Sequence, residues 1–309
     1  VSAALLENAD IHQDVFTTWY PELFTKVAIT SPPSQRNRVP RRARGVRAMS
    51  FTGGVDSIFS LVTTPLPRWL VNSAGLELAA RPDIVAATEA RIDRIAAKVD
   101  SEQLRLNSNL RKFMLNNDIT WGEHSFAGML ASFGHLLSPL IDTYVIPAGK
   151  SYLTTMPWGS TPLCYPLFGS DRLKIIHHGA THNRARKTEH IAHHELTRTE
   201  LRICLKINSD DNCGECRKCL RTMFTLEIFD ALRTNERLPQ YVDVSKLMDL
   251  DAHHVQDIQM LVDARDLAIK RATRQELIDD ITRVIDHWSA QLGVDAAASA
   301  GPVREPHGT

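Results

Sequence analysis

The chain has 309 residues, of which 43% are hydrophobic and 23% charged, the composition of a soluble globular protein large enough for one big α/β domain or two smaller ones. Lys+Arg and Asp+Glu balance at 36 each, so net charge does not point to a polyanionic partner. No apolar run approaches the ~20 residues that span a bilayer, and no membrane partner is expected. In chain order, residues 1–30 carry Phe16, Trp19, Tyr20, Leu23 and Phe24 and read as one or two helices. The opening VSAALLENADIH lacks the basic and apolar regions of a secretion signal, and because Val1 is not Met, residues upstream are allowed for. SPPSQRNRVPRRARG, at 31–45, is an Arg-rich linker; without interleaved aromatics it reads as a solvated loop rather than a stacking surface for RNA.

From residue 46 short apolar runs alternate with helical periodicity. Val46 to Phe51 and Trp69 to Val71 predict strands. Asp83 to Val99 predicts a helix whose inner face is Ile84, Thr88, Ile92, Ile95 and Val99. LRLN at 104–107 predicts a third strand, 124–139 a buried helix ended by Pro139, and Tyr144 to Ile146 and Leu173 to Ile176 two further strands. Strands separated by helices imply a Rossmann-like parallel sheet with helices on both faces, which binds ligands at the carboxyl ends of its strands. Beyond about 217 the pattern is helical. Val255, Ile258, Leu261 or Val262, Arg265 and Ile269 track one face, and TRQE at 273–276 is a capping box opening a helix with Leu277, Ile281, Val284 and Trp288 inside. The tail from Asp295 reads as disordered. The expected divisions are therefore 1–45 (helical segment and linker), 46–200 (α/β domain), 201–294 (four-cysteine site and helical extension) and 295–309 (tail).

Two motifs carry chemistry. The first is SFTGGVDSIF at 50–59, a predicted strand-to-helix turn. Unpaired N–H groups and the dipole at a helix N-terminus favour an anion, and Gly53 and Gly54 let a phosphate approach the backbone. Thr52 and Ser57 add hydroxyls, and Asp56 either caps the turn or helps hold a cation that accompanies the phosphates, for which Mg²⁺ is suited. Neither GxxxxGK[ST] nor GxGxxG is present. TGGVDS resembles the SGGxDS pyrophosphate loop of the PP-loop ATP pyrophosphatases, with Thr52 in place of the usual serine. The resemblance implies an adenine nucleotide alpha hydrolase-like (HUP) fold, with Ser50, Thr52, Gly53, Gly54, Val55, Asp56 and Ser57 binding ATP. It also implies cleavage of ATP between the α and β phosphates to activate a carbonyl or carboxyl oxygen.

The second motif is Cys204, Cys213, Cys216 and Cys219, spaced C-x8-C-x2-C-x2-C. Four thiolates suit tetrahedral Zn²⁺ and close its shell; an iron–sulfur cluster is the competing reading. Arg217, Lys218 and Arg221 are expected to offset thiolate charge, and Cys164 reads as merely buried. The same cysteine spacing, a Lys-x-Glu element in KTEH at 187–190 and a Pro-containing loop at 156–163 resemble, distantly, the 7-cyano-7-deazaguanine synthases. That resemblance covers roughly 46–225.

Arg184 and Lys187, three apart at a predicted helix start, are candidates to reach a phosphate together, and with Asp56 form the expected catalytic set. Asn107, Asn109, Arg111, His124, His177 and His178 are weaker candidates near predicted strand or helix ends. The expected function is an ATP-dependent, ligase-type enzyme forming a C–N bond, with ATP and a small-molecule substrate as partners, Mg²⁺ and Zn²⁺ as metals, and a cytoplasmic setting. A homodimer is compatible with the sequence. The alternatives are a tRNA sulfurtransferase, for which nucleic acid is a less favoured partner, and a catalytically silent nucleotide-binding module.

Overall fold

A computed structural model describes residues 2–30, 45–74, 76, 82–204 and 209–294. The Arg-rich stretch at 31–44 and the tail from Asp295 lie outside these residues. The chain forms two compact units: residues 1–52 with 60–181, and residues 53–59 with 182–309. No helix among the described residues is long and apolar enough to cross a membrane.

The first unit opens with α1 (Ala3–Trp19), whose Ser2 side chain accepts the Leu5 N–H as an N-cap. Its strands are β1 (Arg47–Ser50), β2 (Trp69–Ala74), β3 (Glu102–Asn107), β4 (Thr143–Pro147) and β5 (Lys174–His178), interspersed with α3 (Pro82–Lys98), α4 (Leu110–Leu115) and α5 (Phe126–Leu137); α2 (Val55–Thr63) follows β1 in the chain, and only its residues from Ser60 on belong to this unit. The five strands form one sheet in the order β3-β2-β1-β4-β5, and every pairing is parallel. The order reverses between β1 and β4, and in such sheets the crevice beside the carboxyl ends at the reversal is the usual ligand position. β1 ends at Ser50, directly before the glycine turn.

The α/β reading with a parallel sheet flanked by helices thus holds: α3 packs on β2 and β3, and α5 packs on β4. The core on the α5 side joins Ala48, Val71, Tyr144, Ile146 and Ile175 from the strands to Ala127, Leu130 and Phe133 from the helix. Strands β2, β3 and β5 run longer than their apolar runs suggested, because β2 keeps pairing through Asn72 to Ala74 and β5 through both histidines. The α5 helix starts at Phe126, not at His124: Trp121–Ser125 forms a wider π-type turn, and the Ser125 hydroxyl bonds the Thr120 carbonyl. In α3, Ile84, Thr88, Ile92 and Ile95 are buried as expected, Val99 lies past its end, and Arg91 is also fully buried.

The second unit consists, apart from Gly53–Phe59, of α6 (Arg184–Ile191), α7 (Glu195–Glu200), α8 (Arg217–Ile228), α9 (Val255–Lys270) and α10 (Gln275–Leu292). α6, α8 and α9 pack on one another, and α10 lies along α9. Leu277, Ile281, Val284 and Trp288 are buried on α10 as predicted, and the Trp288 indole donates to the Leu250 carbonyl at 2.8 Å. Two expectations are corrected. On α9, Val255 and Ile269 are exposed, and the buried stripe is Ile258, Leu261, Val262, Ala264, Leu267 and Ala268. The capping box does not form either: α10 begins after Arg274 with no side-chain cap.

Candidate functional site: the glycine turn and the four-cysteine cluster

The sequence between β1 and α2 forces a change of direction within Phe51–Gly54, and glycine makes it feasible. Gly53 has φ +76°, a left-handed conformation that costs a side-chain-bearing residue energy. The first hydrogen bond of α2 runs from the Ile58 N–H to the Gly54 carbonyl at 2.9 Å. The N–H groups ahead of Ile58 therefore form the open end of the helix, where a macrodipole favours negative charge. Ser57 is buried and its hydroxyl donates to the Gly54 carbonyl at 3.0 Å, while Val55 is buried as the first helical residue. Thr52 is exposed, and its carbonyl accepts from the buried Arg91 guanidinium at 3.1 Å within the first unit. Ser50, half-buried, closes β1.

Asp56 lies in the first turn of α2 and meets the two cations singled out on α6. Arg184 donates to one carboxylate oxygen at 2.5 Å and Lys187 to the other at 3.2 Å. The Asn183 side chain caps α6 by accepting the Arg186 N–H, which fixes the helix start that carries both. Lys187 is almost wholly buried, and burial, with Arg184 adding to it, pulls its ammonium below the usual lysine range against the pull of Asp56. Burial pushes the Asp56 carboxyl up, but Arg184 and Lys187, with Lys218 on α8 further off, outweigh it and hold the group below the ordinary carboxylate range. Asp56 is therefore ionised at neutral pH, in a group with at least two positive charges around one negative. This excess suits a polyanion.

The other sequence candidates occupy the first unit. His178 shares a hydrogen bond with Ser60 at 3.1 Å, and the His177 ring stacks on Tyr165 with centroids 3.9 Å apart. His124 Nδ1 accepts the Thr120 N–H at 3.1 Å, with Tyr20 and Phe24 edge-on to its ring. Arg111 donates to the Leu76 carbonyl and lies over Trp121, which gives it a structural role, and Asn109 precedes α4 without a side-chain cap bond. Sequence reasoning missed Arg91, which looks like a solvated helix residue in the periodicity, and Lys150. In the loop after β4, the Lys150 ammonium sits 3.8 Å from the Trp158 ring centre, and burial pushes its pKa down to about 7. A lone lysine between Gly149 and Ser151 carries no motif that could have flagged it.

The Sγ atoms of Cys204, Cys213, Cys216 and Cys219 all lie within 4.8 Å of one another, with Cys204–Cys216 and Cys213–Cys219 each at 3.9 Å. Thiolates bound to Zn²⁺ at ~2.3 Å in a tetrahedron stand about 3.8 Å apart, so the donor set fits that ion. Cys216 stands at the N-cap position of α8 without a side-chain cap bond, and Cys219 lies in the first turn of that helix. The Cys213 sulfur accepts the N–H groups of Glu215 and Cys216 at 3.4 and 3.3 Å, the contacts expected of a thiolate whose charge must be spread. Hydrogen bonding to Cys216, burial and the neighbouring sulfur charges drive the Cys219 thiol far above its ordinary range, so the set needs a cation to ionise together. Gly214, at φ +72°, makes the turn between the cysteines, and a Cβ there would meet Pro239 Cγ at 2.5 Å.

Around the cluster, Asn212 acts as a brace. Its Oδ1 accepts the N–H groups of Ile203 and Cys204 at 2.9 and 3.2 Å, and its Nδ2 donates to the Leu201 and Arg237 carbonyls. Of the basic residues expected to offset the thiolate charge, Arg217 and Arg221 pair with Asp257 at 2.7 and 3.8 Å. Cys164 is buried and free, its thiol pushed up by burial to about 12.

Fold and site together define a parallel α/β protein with a four-cysteine cluster able to hold a metal ion such as zinc. No protein-family model matches the sequence, and no curated protein is significantly similar to it.

Proposed function

We propose that the protein is a PP-loop-type ATP pyrophosphatase that adenylates a carbonyl or carboxyl oxygen and passes the activated carbon to ammonia or an amine. The observation that carries this reading is the meeting of Asp56, Arg184 and Lys187 at the open N-terminus of α2, beside a glycine turn of the TGGVDS type. Fold alone would not carry it, since parallel sheets of this order host many activities.

The chemistry asks little covalent help of the protein. An oxygen of the substrate attacks the α-phosphorus, the bond from that phosphorus to the bridging oxygen breaks, and pyrophosphate leaves with the electron pair. The amine nitrogen then attacks the acyl carbon, AMP departs, and the amine loses a proton. Charge grows on the leaving pyrophosphate, where helix N–H groups and the Arg184 and Lys187 cations would stabilise it. The Thr52 hydroxyl, exposed at the turn, is a further donor. Asp56 is the carboxylate of this group that would hold Mg²⁺, which neutralises phosphate oxygens. The four-cysteine site, closed by its own ligands, would be structural.

The test is product identity. Purified protein given ATP, Mg²⁺ and a panel of carboxylic acids and amines is expected to release AMP and pyrophosphate. Arg184→Met is expected to slow turnover by about a hundredfold, the usual loss when one charge-stabilising donor is removed. Formation of ADP and orthophosphate would overturn the assignment.

A further inference from the structure

The second unit contains a direct mechanical link between its two motifs. The Arg202 N–H donates to the Gly53 carbonyl at 2.9 Å. The Arg202 guanidinium spans the cysteine loop, donating to the Cys204 carbonyl at 2.7 Å and the Ser209 carbonyl at 3.0 Å. Asn212 clamps the same 201–204 segment from the other side of the loop, through Leu201, Ile203 and Cys204. A peptide bond is planar and trans, so its carbonyl and its N–H point in opposite directions. Fixing the Gly53 carbonyl on Arg202 therefore aims the Gly54 N–H the other way. That N–H belongs to the group ahead of Ile58 that opens α2.

We propose that Arg202 is a positioning residue through which the metal-bound cysteine loop sets the direction of the Gly54 amide, so that metal binding at the cysteines and anion binding at the glycine turn reinforce each other. The proposal rests on the turn being a phosphate site. With the four sulfurs drawn onto one ion, the 201–204 segment has a single position, and so does the Gly53–Gly54 peptide. Without the ion, glycine on both sides of that peptide leaves it free to rotate, and the anion must then pay for ordering it.

Coupling between two ligands is reciprocal: whatever factor zinc adds to anion affinity, the anion adds to zinc affinity. The probe is inorganic pyrophosphate in excess Mg²⁺, which keeps it from extracting zinc. Zinc affinity of the full-length protein is measured by competition with a chromophoric chelator, and pyrophosphate binding by calorimetry. In the wild type, saturating pyrophosphate is expected to raise zinc affinity about fivefold or more, the lower end of ordinary coupling. Arg202→Met keeps all four cysteines, Asn212 and the backbone N–H that bonds Gly53 but loses the guanidinium brace, so it should still load zinc while its zinc affinity responds less to pyrophosphate. If pyrophosphate binds the wild type but zinc affinity is unchanged, the coupling is refuted and the phosphate site stands. If pyrophosphate does not bind the zinc-loaded protein at all, the phosphate site and the coupling fall together. The wild-type measurement decides both, even if Arg202→Met does not fold.

Discussion

Asp56 is paired with two cations that are both largely withdrawn from water. Lys187 is nearly wholly buried, and Arg184 keeps little exposure. Removing one partner of such a group leaves the others desolvated and unpaired, which costs on the order of 3 kcal/mol. Asp56→Asn is therefore expected to lower stability by about that amount, measured by urea unfolding, as well as to remove turnover. The pH dependence follows from the depressed carboxyl. Its stabilisation is complete above the ordinary carboxylate pKa near ~4 and is lost as pH falls through the lower folded value. Across that acid window the wild type should lose this contribution and Asp56→Asn has none of it to lose, so the gap between the two curves narrows below about pH 4. The three residues were each visible in the sequence, Asp56 by its motif and Arg184 and Lys187 by their spacing at a helix start. They were expected in one site, but their direct ion pairing was not legible, because Asp56 is separated from them by 128 and 131 positions and pairing of that range leaves no periodic trace. Arg91 was hidden for a different reason. Its guanidinium donates to the Thr52 backbone carbonyl, and carbonyls are the same at every residue.

At the level of elements, the cysteine loop depends on a glycine as much as on its sulfurs. Gly214→Ala meets both a left-handed φ and Pro239, and such strained positions cost about 1–3 kcal/mol each. Zinc affinity of Gly214→Ala should fall by roughly tenfold or more, read by chelator competition, with all four ligands intact. Cys213→Ser removes a ligand and two N–H···S bonds, and should lower zinc content and melting temperature together. A Cys213→Ser protein that stays folded and zinc-loaded but loses activity would instead make the cysteine catalytic. Motif spacing made this loop legible. The helix ends were less so, and the junction of α9 and α10 shows why. The Thr273 N–H bonds back to the Ala268 carbonyl, and Ala272 takes φ +51°. Thr273 thus belongs to the closing turn of α9, so TRQE never becomes a cap for α10. Alanine at the left-handed position, where glycine is usual, concealed the stop.

For the whole molecule, the sheet and its helices followed from alternating apolar runs, whereas the make-up of the two units did not. Gly53–Phe59 belongs with residues 182–309, although about 120 residues of the other unit intervene. Within the second unit, Phe59 packs against the rings of His182 and His190, and Asp56 neutralises α6. A fragment of residues 182–309 retains the four cysteines but lacks these contacts. It is expected to bind zinc yet melt less cooperatively than the full chain, with added peptide 50–63 restoring part of the difference; calorimetry with and without the peptide checks this.

The long separation also sets an order of events during synthesis. At ~5–20 residues per second, α6 leaves the ribosome roughly 6–25 seconds after Asp56 does. During that interval the carboxylate is hydrated and its two cations do not yet exist. The first turn of α2 must therefore wait for the C-terminal half of the chain, and any nascent product truncated before α6 carries the TGGVDS turn without the charges that hold it. Such a product would have the motif without the two cations that Asp56 meets in the finished chain.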